Sequence, residues 1–176
     1  TGESSDACYW IDQTRYDLPG SWGEAEAITV HNGDVYVAGW FADGSCYWKN
    51  GVKHNLTVSR DSQAFGIAVK DNGDIFVGGY FMNNHHYILP CFWKNGSRTS
   101  LSVPSGGDGE VNDITLLNGN VRYFAGYTTK TSGFAGYTPK AGYWRNSRRT
   151  DLPLGGSTWD IYGGYGRGIT LDGSDV

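Results

Sequence analysis

Long apolar runs, methionine and charge of one sign are all scarce in this sequence, and each scarcity removes a class of protein. No apolar stretch approaches the roughly 18 residues a helical membrane span requires, so no membrane span is expected. One Met and little Leu stand against 27 glycines and 15% aromatic residues, which leaves few strong helix formers. The formal net charge of −4 is too modest to drive binding to nucleic acid or an anionic membrane surface. The three cysteines show neither Cys-x-x-Cys nor Cys/His spacing, so no metal site is assigned. Nucleophile elbow, zinc-protease helix and phosphate-binding glycine loop are absent too. No catalytic residue and no cofactor is therefore assigned, and a non-enzymatic role is expected.

What the chain does have is a repeat. An aromatic-Trp anchor occurs as Cys8-Tyr9-Trp10, Cys46-Tyr47-Trp48, Cys91-Phe92-Trp93 and Gly142-Tyr143-Trp144. A polar turn follows (Lys49-Asn50-Gly51, Lys94-Asn95-Gly96, Arg145-Asn146-Ser147, with Ile11-Asp12-Gln13 as the variant form), and then a leucine: Leu18, Leu56, Leu101 or Leu152. Alternating apolar pairs come next: Ile28/Val30, Ile67/Val69, Ile114/Leu116 and Ile169/Leu171. These run into Asn32-Gly33, Asn72-Gly73, Asn118-Gly119 and Asp172-Gly173, followed by strands such as Val35-Tyr36-Val37-Ala38-Gly39 and Ile75-Phe76-Val77-Gly78-Gly79. Units of about forty to fifty residues with internal self-similarity mark a repeat architecture. They are bounded at about 8–45, 46–90, 91–141 and 142–176 together with 1–7, all in one repeat domain.

Alternation puts one set of side chains on a buried face, and Asn-Gly supplies the positive φ angles of a two-residue hairpin. Each unit therefore reads as about four short antiparallel strands, the content of a propeller blade. The fold expected is all-β, a small β-propeller of four blades, with the fourth blade split between the termini. Trp10, Trp48, Trp93 and Trp144 are the expected repeat core. The glycines ending the Val-Tyr-Val strands are expected where blades crowd together. The repeated cysteines are expected to pack as small buried hydrophobes.

The unit seen at Ala25–Gly39, Tyr47–Gly51 and Leu56 resembles a repeat of bacterial exported and lipoprotein-like propeller proteins of undefined function. The resemblance spans nearly the whole chain and implies a propeller-like fold in an extracellular or cell-surface setting. It carries no catalytic residue to transfer.

The ends suggest a role. Val176 corresponds to Val35, so the fourth unit is short of part of a strand. Joining of the termini in one blade, a larger ring, or completion by a neighbouring subunit would each account for it. The reading favoured is a non-enzymatic structural module that self-associates head to tail, as a filament or surface-layer subunit. The alternative is a carbohydrate-binding, lectin-like propeller, and a weaker one is a secreted enzyme with a site built from blade loops. Candidate interface or ligand aromatics are Trp22, Trp40, Tyr80, Tyr87, Tyr137 and Trp159. Asn55 and Asn95 head acceptor sequons and are candidate glycosylation sites. Three further clusters read as bland. Glu24 and Glu26 form the outward face of a strand, Asp71-Asn72-Gly73-Asp74 is a hairpin turn, and Arg145, Arg148 and Arg149 form a solvated loop.

Overall fold

The computed structural model describes residues 6–56, 61–104, 107–117, 121–131, 137–153 and 166–169. The expected turns at Asn118-Gly119 and Asp172-Gly173, the position Leu171, and the candidate Trp159 lie outside the described residues. Every element among them is a strand. β1 (Cys8–Ile11) and β2 (Thr14–Asp17) form a two-stranded sheet. Three four-stranded antiparallel meanders follow in chain order. The first joins β3 (Glu24–His31), β4 (Asp34–Phe41), β5 (Gly44–Lys49) and β6 (Val52–Asn55). The second joins β7 (Ser62–Val69), β8 (Ile75–Met82), β9 (Ile88–Lys94) and β10 (Ser97–Ser100). The third joins β11 (Gly109–Leu117), β12 (Val121–Thr131), β13 (Tyr137–Arg145) and β14 (Arg148–Asp151). Among the described residues the chain is all-β, in four antiparallel sheets.

The repeat is reproduced bond by bond. Each anchor Trp sits opposite a cation on the next strand: Trp10↔Arg15, Trp48↔Lys53, Trp93↔Arg98 and Trp144↔Arg149. Each repeated leucine donates its backbone N–H to the residue before its anchor: Leu18 to Ala7 (2.8 Å), Leu56 to Ser45 (3.0 Å), Leu101 to Pro90 (2.8 Å) and Leu152 to Ala141 (2.9 Å). β1–β2 is thus the same element as β5–β6, β9–β10 and β13–β14. The four-stranded sheets begin one strand pair before the anchor, so they are phased differently from units counted from Cys8.

The turn residues act as their chemistry dictates. Asn32-Gly33, Asn50-Gly51 and Asn95-Gly96 all hold positive φ at both positions, the two-residue hairpin geometry. Asn72-Gly73 departs from that expectation. One extra residue separates it from Val69, so Lys70 O accepts Gly73 N–H at 2.8 Å and only Gly73 is left-handed (φ 85°). The basic cluster is likewise no loop: Arg148 and Arg149 lie in β14 and Arg145 ends β13. The Arg149 guanidinium stands 4.7 Å from the Trp144 ring, with Nε 2.7 Å from Asp151 Oδ1.

The sheets pack in sequence order, with β7 against β3, β4 and β5, and β11 against β7, β8 and β9. One face of each sheet carries the anchor Trp and the Val37-type residue, and the other carries the Tyr36-type residue and the repeated Leu. Tyr36, Tyr47 and Leu56 therefore meet Ile67, Val77 and Trp93 in one core. Phe76, Phe92 and Leu101 meet Ile114, Phe124 and Trp144 in the next, and Leu18 meets Val37 and Trp48 in a third. Trp48, Trp93 and Trp144 are fully buried, and truncating any one to Ala would cost about 3–5 kcal/mol. The Trp48 indole donates to Pro19 O (3.1 Å) and that of Trp144 to Ser102 O (2.9 Å), in each case the carbonyl just after the packed Leu. The Trp93 indole N–H is buried with no hydrogen-bond partner among the described residues.

The glycines close two kinds of gap. A Cβ on Gly39, Gly79 or Gly126 would collide with the carbonyl of Glu24, Gln63 or Glu110, inside the same sheet. Between sheets, Gly66 lies against the Asp113 backbone and Gly78 against the Val111 side chain. Gly78 thus sits where crowding between units is expected, whereas Gly39, Gly79 and Gly126 answer a close approach within one sheet. Its cause is a β-bulge in each first strand, where the register slips at Ala25/Ala27, Ala64/Gly66 and Val111/Asp113. The extra residue pushes the backbone towards the neighbouring strand.

Candidate functional site

Two features stand apart from the packed repeat, an uncovered pair of end surfaces and a polar cavity. Trp10 is 58% exposed where Trp48 is 1%. In the neighbouring sheet, Ile28 on β3 is 52% exposed where Ile67 is 7%, and Val30 is exposed as well. At the opposite end of the stack Leu152 is 43% exposed where Leu101 is 5%. Elsewhere a repeated Leu packs on the anchor Trp of the following unit, as Leu18 does on Trp48 and Leu101 on Trp144. Leu152 and Trp10 are the two halves of that contact, each left open. β1 is also paired only with β2 among the described residues, although β5, β9 and β13 each have a strand on both sides. A groove of about 210 Å³ beside it is lined by Cys8, Tyr9, Trp10, Ala25, Ile28 and Val37, among others.

The bulges position the second feature. The bulged residues are Glu26, Phe65 and Asn112, each two before the repeated isoleucine. Arg167 stands in the same place before Ile169. All four, one from each sequence unit, line a single cavity of about 320 Å³ together with Glu110. The segment 166–169 is held beside β11: Asn112 Nδ2 donates to Gly166 O (2.7 Å) and Ile169 N–H to Asp113 Oδ2 (3.0 Å).

Aromatic side chains at one repeat position, Trp40, Tyr80 and Tyr127, stand beside these residues. Trp40 Nε1 donates to Glu26 Oε1 (3.2 Å). The Tyr80 ring lies 5.9 Å from that of Phe65, and Tyr127 hydrogen-bonds Glu110. Burial pushes the Glu26 carboxyl above the ordinary glutamate range despite the Trp40 bond, and neighbouring Glu24 adds to the rise. Burial likewise raises Glu110, against the opposing pull of Tyr127 and Arg167. Tyr80 is raised by burial and by the nearby charges of Glu110 and Asp61. Glu26 is exposed, as its expected place on the outward face of a strand requires. The bulge sets it beside the cavity, a position the sequence marks only by its distance from the isoleucine.

The other candidates are dispersed. Trp22 is exposed in the β2–β3 connection at φ 59°. Tyr87 is exposed between β8 and β9, and Tyr137 opens β13. Asn55 is exposed at the end of β6. Asn95 is bound into its hairpin, accepting Ile75 N–H at 2.9 Å and donating to Asp74 Oδ1 at 2.8 Å. Cys8, Cys46 and Cys91 are free thiols. Burial pushes the Cys46 thiol up to about 12 and raises Cys91 as well, which suits packing and disfavours thiolate chemistry. No group of three or more metal-ligating side chains occurs among the described residues. Comparison with known protein families, curated proteins and solved structures gives no match for this chain.

Proposed function

We propose that the chain is a non-catalytic extracellular module that works by assembly, with β1–β2 and the three meanders acting as blades of a four-bladed propeller. The blade reading is supported by the identical pairing of all four anchors and by the four repeat-equivalent residues sharing one cavity. The assembly reading rests on one observation above all: Trp10 and Leu152, complementary halves of the contact that seals every other joint, are both open. A Leu152 surface of one copy seated on the Trp10 surface of the next is a head-to-tail contact that repeats at every copy. Burying Trp10 and Leu152 would contribute about 1.5–3 kcal/mol apiece, and the β1 edge, unpaired among the described residues, adds backbone hydrogen-bonding capacity. The extracellular setting is supported by the exported-type repeat and by Asn55, an exposed sequon asparagine.

The test is the mass of the purified protein against concentration by light scattering, with negative-stain microscopy of the concentrated sample. Oligomers that grow with concentration are expected. A monomer that persists to high concentration would mean that Trp10 and Leu152 meet within one chain, and the assembly reading would fall. The aromatic and acidic residues of the cavity favour a second activity, ligand binding, independent of assembly.

A further inference from the structure

We infer that the cavity lined by Glu26, Phe65, Glu110, Asn112 and Arg167 is a binding site for one neutral pyranose, free or at the end of a glycan. The cavity of about 320 Å³ is at the small end of ligand sites, the scale of a single ring. Its walls combine two chemistries. Glu26 and Glu110 are acceptors, and Asn112 spends one amide N–H on Gly166 O (2.7 Å), which leaves its carbonyl oxygen and its second N–H to offer. The acceptor-rich wall calls for a ligand rich in donors, which hydroxyl groups are and anions are not. Arg167 supplies the opposite character, a donor for a ring or hydroxyl oxygen, and its charge disfavours an ammonium ligand beside it. Phe65, backed by Tyr80 at 5.9 Å, offers an apolar face to the C–H side of a sugar ring.

The site is assembled in advance of any ligand. Trp40 fixes one oxygen of Glu26 (3.2 Å) and Tyr127 bonds Glu110, so the carboxylates need little reordering when a sugar enters. Partial desolvation raises both carboxyl groups, and hydroxyl donors would relieve that cost. Four repeat copies place four different residues at one bulge position, Glu, Phe, Asn and Arg. Structural packing alone would be served by one residue type, as it is at the anchors, where Trp recurs every time. Neither Trp10 nor Leu152 lines this cavity, so the inference stands whether or not the chain assembles.

The experiment is ligand-observed NMR and calorimetry on the intact chain with methyl glycosides of glucose, galactose and mannose. N-acetylneuraminic acid and putrescine serve as the anionic and cationic counterparts. At least one neutral glycoside is expected to bind with Kd of about 1 mM or tighter, with the charged probes silent. Phe65→Ala and Glu110→Gln should each weaken it at least tenfold, with circular dichroism unchanged. Should Phe65→Ala fail to fold, Glu110→Gln carries the test, because an amide suits a half-buried site that disfavours charge. Silence of all three glycosides, binding indifferent to both substitutions, or binding of a charged probe alone would overturn the inference.

Discussion

Ser147 holds φ at 82°, a conformation its counterparts Gly51 and Gly96 adopt at 79° and 84° without a Cβ. An L-residue in the left-handed region costs about 1–2 kcal/mol, and glycine returns part of this through the freedom it adds to the unfolded chain. Ser147→Gly is therefore expected to stabilise the protein by about 0.5–1 kcal/mol, read as a higher urea midpoint at unchanged slope. A midpoint that falls would show that the Ser147 side chain contributes something the turn geometry does not reveal. Positions like this one are legible from sequence, because a turn type dictates its residues: Asn50-Gly51 and Asn95-Gly96 declare the hairpin, and Asn146-Ser147 declares it with one wrong letter. Glu26, Phe65, Asn112 and Arg167 were not legible. They share no chemistry, and an alternating strand pattern hides the one-residue slip that groups them.

At the scale of the element, each of the first two meanders carries the same polar clasp between its second strand and the turn after its third. In the second meander Asn95 accepts Ile75 N–H (2.9 Å) and donates to Asp74 Oδ1 (2.8 Å), while Lys94 Nζ lies 2.7 Å from Asp74 Oδ2. In the first, Asn50 accepts Val35 N–H (2.8 Å) and donates to Asp34 Oδ1 (2.7 Å), with Lys49 Nζ 2.8 Å from Asp34 Oδ2. The hydrogen bonds from Lys94 and Asn95 bring Asp74 down from its ordinary 3.8 to about 2. Asp34 is lowered by the same two kinds of donor, Lys49 first. A carboxyl depressed on folding stabilises the native state above its unfolded value and loses that contribution as pH falls through the folded one. Stability should therefore decline as pH drops from about 4 towards 2, and Asp74→Asn should flatten that decline while lowering stability at neutral pH. Urea midpoints of both proteins across that range check it; equal slopes would mean that the clasp does not couple to folding. The sequence shows Lys-Asn-Gly and Gly-Asp as turn residues. Their partnership across the sheet becomes visible only when register brings Asp74 beside Asn95.

For the whole molecule, the question is where the stack of sheets stops. Alternation and the aromatic-Trp anchors made the four copies readable, and burial of Trp48, Trp93 and Trp144 matches the role expected of them. Trp10 breaks the pattern for a reason no local sequence signal carries: what covers an anchor is the Leu face of the preceding unit, and among the described residues no such face lies on Trp10, while that of Leu152 is open. If the two meet between molecules, the joint has a direction, and direction can be tested by blocking one side at a time. Trp10→Ala removes the receiving surface and keeps Leu152; Leu152→Ser removes the inserting side chain and keeps Trp10. Each variant alone is expected to remain monomeric, since every joint needs both halves. Mixed in equal amounts they can form one kind of joint only, Leu152 of the Trp10→Ala chain on Trp10 of the Leu152→Ser chain. The resulting pair has no further competent end, so analytical ultracentrifugation should show heterodimers and nothing larger. A self-complementary interface would behave otherwise: each chain of a mixed pair would supply only one of its two equivalent contacts, and larger species blocked in both single variants would stay blocked without a discrete heterodimer. Growth of long assemblies from the mixture would place the joint elsewhere on the molecule, and a mixture that stays monomeric would assign Trp10 and Leu152 to closure within a single chain.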